Sequence, residues 1–585
     1  MSPLPLGTPP FPRFSSSSRH LPVAAVNVIS GSATDFRPQV CRGLKRWILR
    51  KLRHPKAVRR HGWQIPWKLQ VQDSAGESET TPHSSQATES SDDVRGLSAS
   101  DGPSSLLETR SVIGSNQASD APSLCIAVVG ATGELARNKV FPALFALYYS
   151  GFLPENVGIF GYSRKHLTDE DLRSMIAGTL TCRVDHHENC GDKLDAFLRR
   201  TYHVDGGYDN ADGMVKLSSR MEKIEGDHAA NRIFYLAVPQ EALLDVALSL
   251  ADRAQTKRGW NREESWKSLI VSFLFSLWYF GLQIDHLLGK DLIENITVLR
   301  FSNLVFEPLW SRTYIRNVQV IFSEECGIEA RGRYFGHYGI IRDIVHSHIL
   351  QTIALFAMEQ PVSLDGEDIR NEKAKVLRSI RKLDLEDVVL GQLKESSDKA
   401  DNYMNSLAPT FFAAAMYIDN ARWDGVPFLI KTGMGLIKHR VEIRIQFRHV
   451  PGILYRERFG YNLDLDTNEL ILRDQPEEAI LLKVNNKVPG LGLQLDASEL
   501  NLLYRDKYNV EVPDSYEHLL LDVIDGDNHL FMRSDELAAA WNILTPTIRE
   551  INENKIAPEL YELGGRGPVG AYYLGAKHGV RWADD

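Results

Sequence analysis

Five cysteines in 585 residues are too few for a disulfide scaffold. None of them form the CxxC pairs of a structural zinc site. Acid is what the start of the chain lacks: Met1 to Gln72 holds thirteen Lys/Arg against one acid, Asp35. Residues 73–120 lack aromatic side chains altogether, and there nine acids stand against Arg95 and Arg110. The apolar stretch Leu269–Leu282, "LIVSFLFSLWYFGL", is fourteen residues long. A bilayer takes roughly 20, so this is not a membrane span. The net charge of −9 gives no reason to expect nucleic-acid binding.

What is present divides the chain. The basic start carries Ser15–Ser18 and "CRGLKRWILRKLRHPKAVRR". Residues 1–72 have the Arg- and Ser-rich composition of an organelle transit peptide. A disordered basic arm touching a membrane surface or a partner is the alternative. Residues 73–120 read as a disordered acidic, Ser-rich linker. At this length more than one folded domain is expected.

Order is expected from Ser123. "LCIAVVG", "NVGIFGYSR" and "RIFYLAVP" are short apolar strands separated by helical stretches, the signature of βαβ units and a doubly wound sheet. Beyond about residue 295, "NVQVIFSEECG", "AAAMYIDN", "RVEIRIQFRHV", "NELILRDQ" and "AILLKVNN" read as longer antiparallel strands. "HILQTIALFAME" and "DELAAAWNILTPTIREI" read as amphipathic helices. The expected class is an α/β Rossmann-like coenzyme domain, 121–295, followed by a β+α domain with a large antiparallel-rich sheet, 296–585.

"VVGATGELARNK" joins the first strand to a helix. Gly130 allows a tight turn, and Gly133 lets backbone approach a phosphate at the helix N-terminus. The short GxxG is also compatible with a purely structural turn. Lys139 offers a charge for phosphate. Arg164 ends the second strand, where an enzyme using NAD carries an acid, and a base there suits the 2′-phosphate of NADP. Glu134 puts a carboxylate near the pyrophosphate position. Cys182 and Cys190 flank "RVDHHEN". Their closeness suits a reversible disulfide worth roughly 2–3 kcal/mol. A metal site through His186 and His187 does not match a standard zinc spacing.

With these residues in view, Ser123 to Trp582 resembles glucose-6-phosphate dehydrogenase of the plastid type. The resemblance rests on "FPALFALYYSGFLPENVGIFGYSR", "GKDLIENITVLRFSNLVFEPLWSRTYIRNVQV", "YGIIRDI", "NARWDGVPF" and "RGPVGAYYLGAKHGVRW". It implies oxidation of glucose 6-phosphate at C1 with NADP, homo-oligomers or hetero-oligomers with related isoforms, and location in the plastid stroma, with no nucleic-acid or membrane partner. It makes the basic arm a plastid transit peptide and matches Cys182/Cys190 to a thioredoxin-sensitive pair.

Site roles follow from the same resemblance. The signature RIDHYLGK stands here as "QIDHLLGK". Asp285 matches the acid that orients the catalytic histidine, His286 the holder of the sugar phosphate, and Lys290 the lysine reaching the sugar near its reacting carbon. His348 in "RDIVHSHIL" matches the general base, whose imidazole suits proton abstraction near neutral pH. Nothing local separates it from His346. Glu329 and Asp343 match acids that hold sugar hydroxyls. No metal is expected.

The chain also departs from the pattern. No EKPFG precedes QIDH; the stretch reads "GWNREESWKSLIVSFLFSLWYFGLQIDH" and is shorter than the family's. The signature tyrosine is Leu287, the GK lysine is Met434, GRGGYFD is changed at Arg333 and Gly336, and QNH is His346-Ser347-His348. Leu269–Leu282 therefore reads as a replacement of the expected lysine-bearing loop, neither an anchor nor a designed core element. Three lost charge-assisted contacts at about 1.5–3 kcal/mol each lower kcat/KM by on the order of a thousandfold or more.

Overall fold

The computed structural model describes residues 122–180, 190–208, 210–226, 230–254, 269–272, 282–326, 339–394, 408–452, 454–455, 467–508 and 512–582. All of them fall within one compact unit, Ile113–Asp585. The basic arm and the acidic linker lie outside the described residues, as do Cys182, His186, His187, Glu329, Arg333 and Gly336.

The first sheet has six parallel strands in the order β3-β2-β1-β4-β5-β6. They are β1 (Leu124–Val129), β2 (Gly158–Ser163), β3 (Thr201–Asp205), β4 (Asn231–Leu236), β5 (Leu269–Ser272) and β6 (Leu282–Ile284). A central parallel strand is covered on both faces, which is why β1 is apolar throughout and buried at all six positions. Ile126 and Val128 join the cluster of Phe141, Leu144 and Phe145 from α1 (Phe141–Tyr149) and Phe197 from α3 (Cys190–Arg199). Cys125, Ala127 and Val129 face Met214, Leu217, Leu243 and Val246 of α4 (Ala211–Glu225) and α5 (Gln240–Arg253). Between β2 and β3, α2 (Asp169–Ala177) starts at a capping box, in which Thr168 and Asp171 each satisfy the other's backbone N–H.

The expectation for Leu269–Leu282 is corrected at its ends. Leu269–Ser272 pairs with β4 and Leu282–Ile284 pairs with β5, so both are strands of the coenzyme-type sheet. Apolar residues at the edge of a parallel sheet extend its ladder as readily as a polar-faced loop would leave it. Residues 273–281 lie outside the described residues.

The second sheet has nine strands in the order β14-β13-β12-β11-β7-β10-β9-β8-β15. They are β7 (Ile315–Ser323), β8 (Val388–Leu393), β9 (Phe411–Met416), β10 (Phe428–Gly433), β11 (Arg440–Phe447), β12 (Glu469–Gln475), β13 (Ala479–Lys487), β14 (Leu495–Leu503) and β15 (Glu559–Tyr561). Only the pairings β7–β10 and β8–β15 are parallel. One face, through Val318, Val320, Ile430, Ile443 and Leu472, shares its core with α6 (Asp291–Ser302), α7 (Leu350–Ala357), α8 (Gly366–Ser379), α9 (Ser515–Asp525) and α10 (Ser534–Glu553). The other, through Phe411, Ala413 and Leu429, is covered by Ala571 and Leu574 of α11 (Gly570–Lys577) and by Trp582. The boundary drawn after residue 295 cuts α6. Among the described residues no helix is long and apolar enough to cross a membrane.

A five-residue π-helix, Ala136–Val140, leads into α1, and a nine-residue one, Ile341–Ile349, leads into α7. The second is held from its far end. Trp310 and Trp423, both fully buried, donate from their indole nitrogens to the carbonyls of Phe356 (3.0 Å) and Ala357 (2.9 Å). These are terminal carbonyls of α7 that have no helical partner. The buried Arg300 guanidinium adds a bond to the Met358 carbonyl and is paired with Glu307 at 2.7 Å. The "RWDG" and "FEPLW" runs thus act by fixing the helix that follows Ile349.

Candidate active site

The turn after β1 is one only glycine can make at its first position. Gly130 has φ +94°, and a Cβ there would lie 2.1 Å from the Ala237 carbonyl oxygen at the end of β4. Its N–H and that of Ala131 donate to the Tyr162 carbonyl at 2.8 and 3.1 Å, which ties the turn to β2. Gly133 closes the turn by donating to the Gly130 carbonyl at 2.9 Å. The free N–H groups of the helix beginning here are suited to an anion. Gly130→Ala is expected to cost about 2–4 kcal/mol, because strain at positive φ and a backbone clash act together. Thermal unfolding with and without a nicotinamide dinucleotide checks this, and stabilisation by the dinucleotide is expected to vanish as well.

Glu134 is exposed in the first turn of that helix. Arg164 is exposed just past β2, with its guanidinium 5.1 Å from the Tyr208 ring centre. The turn and this arginine fit a nicotinamide dinucleotide: a backbone cradle where a Cβ is excluded, and a cation at the end of the second strand. Lys139 is placed differently from the expectation. Its ammonium is 2.7 Å from Asp514 Oδ2, and both side chains are substantially exposed. Asp514 caps α9, accepting from the Tyr516 N–H. A solvent-exposed pair of this kind is worth under about 1 kcal/mol, so it ties the amine only loosely.

The reacting groups gather where the parallel sheet ends. Asp285 follows β6 and opens a tight turn in which the Leu287 N–H donates to Asp285 Oδ1 at 3.0 Å. That turn delivers Lys290 as the residue before α6. Across from it, His348 projects from the second π-helix, a distortion that often marks functional positions. His348 Nδ1 is 2.5 Å from Asp285 Oδ1, with both side chains buried. Burial pushes the Asp285 carboxyl up. The charge of His348 and its hydrogen bond, with His286 and the Leu287 N–H, outweigh that and hold it below the ordinary carboxylate range.

The ambiguity between the two histidines disappears at this point. Residues two apart on a helix fall on nearly opposite faces. His346 turns away: its Nε2 lies 3.4 Å from the Leu537 carbonyl of α10, and its ring stacks on Trp541 at 3.8 Å. Burial pushes its pKa down to about 3, as befits a neutral core imidazole. His286 packs edge-on against His348 with ring centres 4.6 Å apart. Asp343 is buried one π-turn before His348, and its carbonyl accepts from Ser347.

Three participants went unnoticed in the sequence. Tyr516 stacks parallel to His286 at 6.0 Å from its position at the start of α9. Asp474 Oδ1 on β12 is 3.3 Å from Lys290 Nζ. Glu478 shares a side-chain hydrogen bond with Asp474, and burial together with that neighbour's charge pushes its carboxyl up to about 7. No spacing in the sequence links any of them to QIDH. Leu287 and Met434, which stand where the resemblance places a substrate-holding tyrosine and a lysine, are packed into the apolar core at 5% and 2% exposure.

Ligand atoms of Asp285, His286 and His348 lie within 4.8 Å of one another, as do those of Asp291, Glu294 and His518. In the first group the Asp285–His348 bond already uses two of the three ligands. In the second, His518 Nδ1 and Asp291 Oδ1 are 3.3 Å apart, an ion-pair spacing. Cys190 is disulfide-bonded at the start of α3.

This arrangement agrees with what the chain is similar to. The profile described as "Glucose-6-phosphate dehydrogenase, NAD binding domain" matches residues 127–272, and "Glucose-6-phosphate dehydrogenase, C-terminal domain" matches 297–583. A protein of Arabidopsis thaliana named "Inactive glucose-6-phosphate 1-dehydrogenase 4, chloroplastic" is 60% identical, covering 95% of this chain and 92% of its own length. The spinach "Glucose-6-phosphate 1-dehydrogenase, chloroplastic" is 55% identical over 80% of this chain and 85% of its own. A glucose-6-phosphate dehydrogenase solved in complex with its substrate glucose-6-phosphate superimposes with a TM-score of 0.71 at 34% identity, covering 80% of this chain and all of that one. With the six-stranded parallel sheet, the nine-stranded mixed sheet and the buried Asp285–His348 pair, these findings lead to one conclusion: the chain belongs to the glucose-6-phosphate dehydrogenase family of nicotinamide-dependent oxidoreductases.

Proposed function

We propose that this chain is an NADP-dependent glucose-6-phosphate 1-dehydrogenase that converts its substrate to the 6-phosphogluconolactone. The carrying observation is the 2.5 Å contact between His348 Nδ1 and Asp285 Oδ1. Asp285 accepts the Nδ1 proton and leaves Nε2 as a lone-pair base. His348 takes the proton of the C1 hydroxyl while the C1–H electron pair departs as hydride. Asp285 then stabilises the imidazolium. A bound nicotinamide supplies the hydride acceptor. In this reading His286 holds the sugar phosphate, Lys290 reaches the sugar near C1, and Glu329 and Asp343 hold its hydroxyls. Gly130, Gly133 and the helix beginning at Glu134 hold the pyrophosphate.

Arg164 makes the cofactor NADP rather than NAD. Arg164→Ala is expected to raise the KM for NADP about tenfold or more, by losing a charge-assisted contact, and to leave the KM for NAD unchanged. Steady-state assays with both cofactors test this, and equal effects on the two would contradict it.

A second reading is favoured by specific contacts. Leu287 and Met434 are buried among apolar residues, and Lys290 is engaged by the buried Asp474. In this reading the chain is a catalytically impaired subunit that assembles with active isoforms. Both readings share the same setting: a transit peptide in residues 1–72, a linker in 73–120, a coenzyme domain in 121–295, a substrate and oligomerisation domain in 296–585, and the plastid stroma. Both also carry a Cys182–Cys190 disulfide open to thioredoxin. The relatives' chloroplastic names support the location.

A further inference from the structure

We infer that Asp474 is a specificity-determining residue that weakens sugar-phosphate binding by occupying the ammonium of Lys290. The inference rests on the proposed function in taking Lys290 as a substrate contact.

Asp474 is 4% exposed on β12, and its Oδ1 lies 3.3 Å from Lys290 Nζ. That oxygen has no hydrogen-bond donor among the described residues. The lysine charge is therefore what compensates a buried carboxylate. A buried charge stripped of its partner is costly to leave behind. Any ligand that draws Lys290 away must leave Asp474 exposed to that cost. A ligand that shares Lys290 must sit beside a carboxylate.

The surroundings act in the same direction. Glu478, three residues past β12, has its carboxyl pushed up by burial together with the Asp474 charge beside it. Asp291, the first residue of α6, lies within the field of Lys290 but pairs with His518, and its carboxyl is pushed up by burial. Asp514, at the cap of α9, lies within the field of Lys290 too, but is paired with Lys139. Lys290 thus pairs with Asp474 alone among the described residues, within the field of the Glu478, Asp291 and Asp514 carboxyl groups. A glucose phosphate brings about two further negative charges, which in the proposed function fall to His286, on the same turn as Lys290. A carboxylate whose job was to aim Lys290 at an anion would not need three others around it. The arrangement instead sets a threshold against dianionic ligands, while leaving the Asp285–His348 pair untouched.

The test uses the purified full-length chain, Asp474→Asn and Glu478→Gln, with glucose 6-phosphate and glucose as ligands. Binding is read by calorimetry, and turnover by NADP reduction. Asp474→Asn is expected to tighten glucose 6-phosphate about tenfold, in Kd and in KM, with kcat changed less than about twofold and the KM for glucose unchanged. Glu478→Gln is expected to act in the same direction by about threefold. Weaker or unchanged glucose 6-phosphate binding in Asp474→Asn overturns the inference, because that is what a carboxylate that merely aims Lys290 produces. If Asp474→Asn does not fold, the sign of the Glu478→Gln effect decides. A chain that makes no NADPH but whose Kd tightens on substitution refutes the dehydrogenase reading and upholds the role of Asp474. A chain that turns over, with a KM that does not fall, does the reverse.

Discussion

His348→Gln is expected to lower kcat with glucose 6-phosphate by about 10²- to 10⁴-fold, with little change in its Kd. The glutamine amide keeps a polar group in the buried slot but has no lone-pair nitrogen with a useful proton affinity. It cannot take the C1 hydroxyl proton. The fold should tolerate the change, because α7 is held from the other end by the indoles of Trp310 and Trp423. Steady-state kinetics beside a calorimetric Kd separates lost chemistry from lost binding. The control is His346→Gln. That residue packs on Trp541, so its replacement is expected to lower the melting temperature and to spare kcat per folded molecule.

Asp285→Asn carries the second large effect. The amide can donate to Nδ1 of His348, which forces the proton onto Nε2 and removes the base. A loss of about 10²- to 10⁴-fold in kcat is expected, as for other buried acids that fix an imidazole tautomer. The variant also has a signature in stability. The Asp285 carboxyl is held below its ordinary value, mainly against burial and by the His348 charge. A depressed carboxylate contributes stability above its unfolded pKa, about 3.9, and loses it as pH falls through the lower folded value. The difference in unfolding free energy between wild type and Asp285→Asn should therefore be level near neutrality and shrink below about pH 4. A chemical-denaturation series across pH checks it, and a difference that grows on acidification would contradict the assignment.

Much of the fold was legible because it follows periodicity. β1 and β2 read as unbroken apolar runs, since both faces of a parallel strand are buried, and the strands of the second sheet alternate because its two faces meet different partners. β8, β10 and β14 were missed. "FLIKTG" looks like any short apolar run, and β14 at a sheet edge is largely exposed, so it carries no apolar signal. The site was legible only where residues are neighbours in sequence: Asp285, His286 and Lys290 lie on one turn. Asp285 and His348, 63 positions apart, are brought together by topology, and beside the resemblance it is the π-helix that separates His348 from His346. Asp474 and Tyr516 were invisible for the same reason, since each reaches the site from a distant strand or helix. Leu287 and Met434 stand where the resemblance expects polar contacts, and in the fold both are packed in the apolar core.

The claim at the centre of this account is that the chain itself transfers hydride from C1 with His348 as base. Glucose 6-phosphate carrying deuterium at C1, incubated with the purified full-length chain and NADP in the absence of any related isoform, tests it most directly. Mass spectrometry of the nicotinamide is expected to show deuterium in the NADPH formed by wild type, at a rate lowered by about 10²-fold or more in His348→Gln. Wild type that transfers no more deuterium than His348→Gln, while still binding glucose 6-phosphate, would contradict the account and leave the impaired-subunit reading in its place.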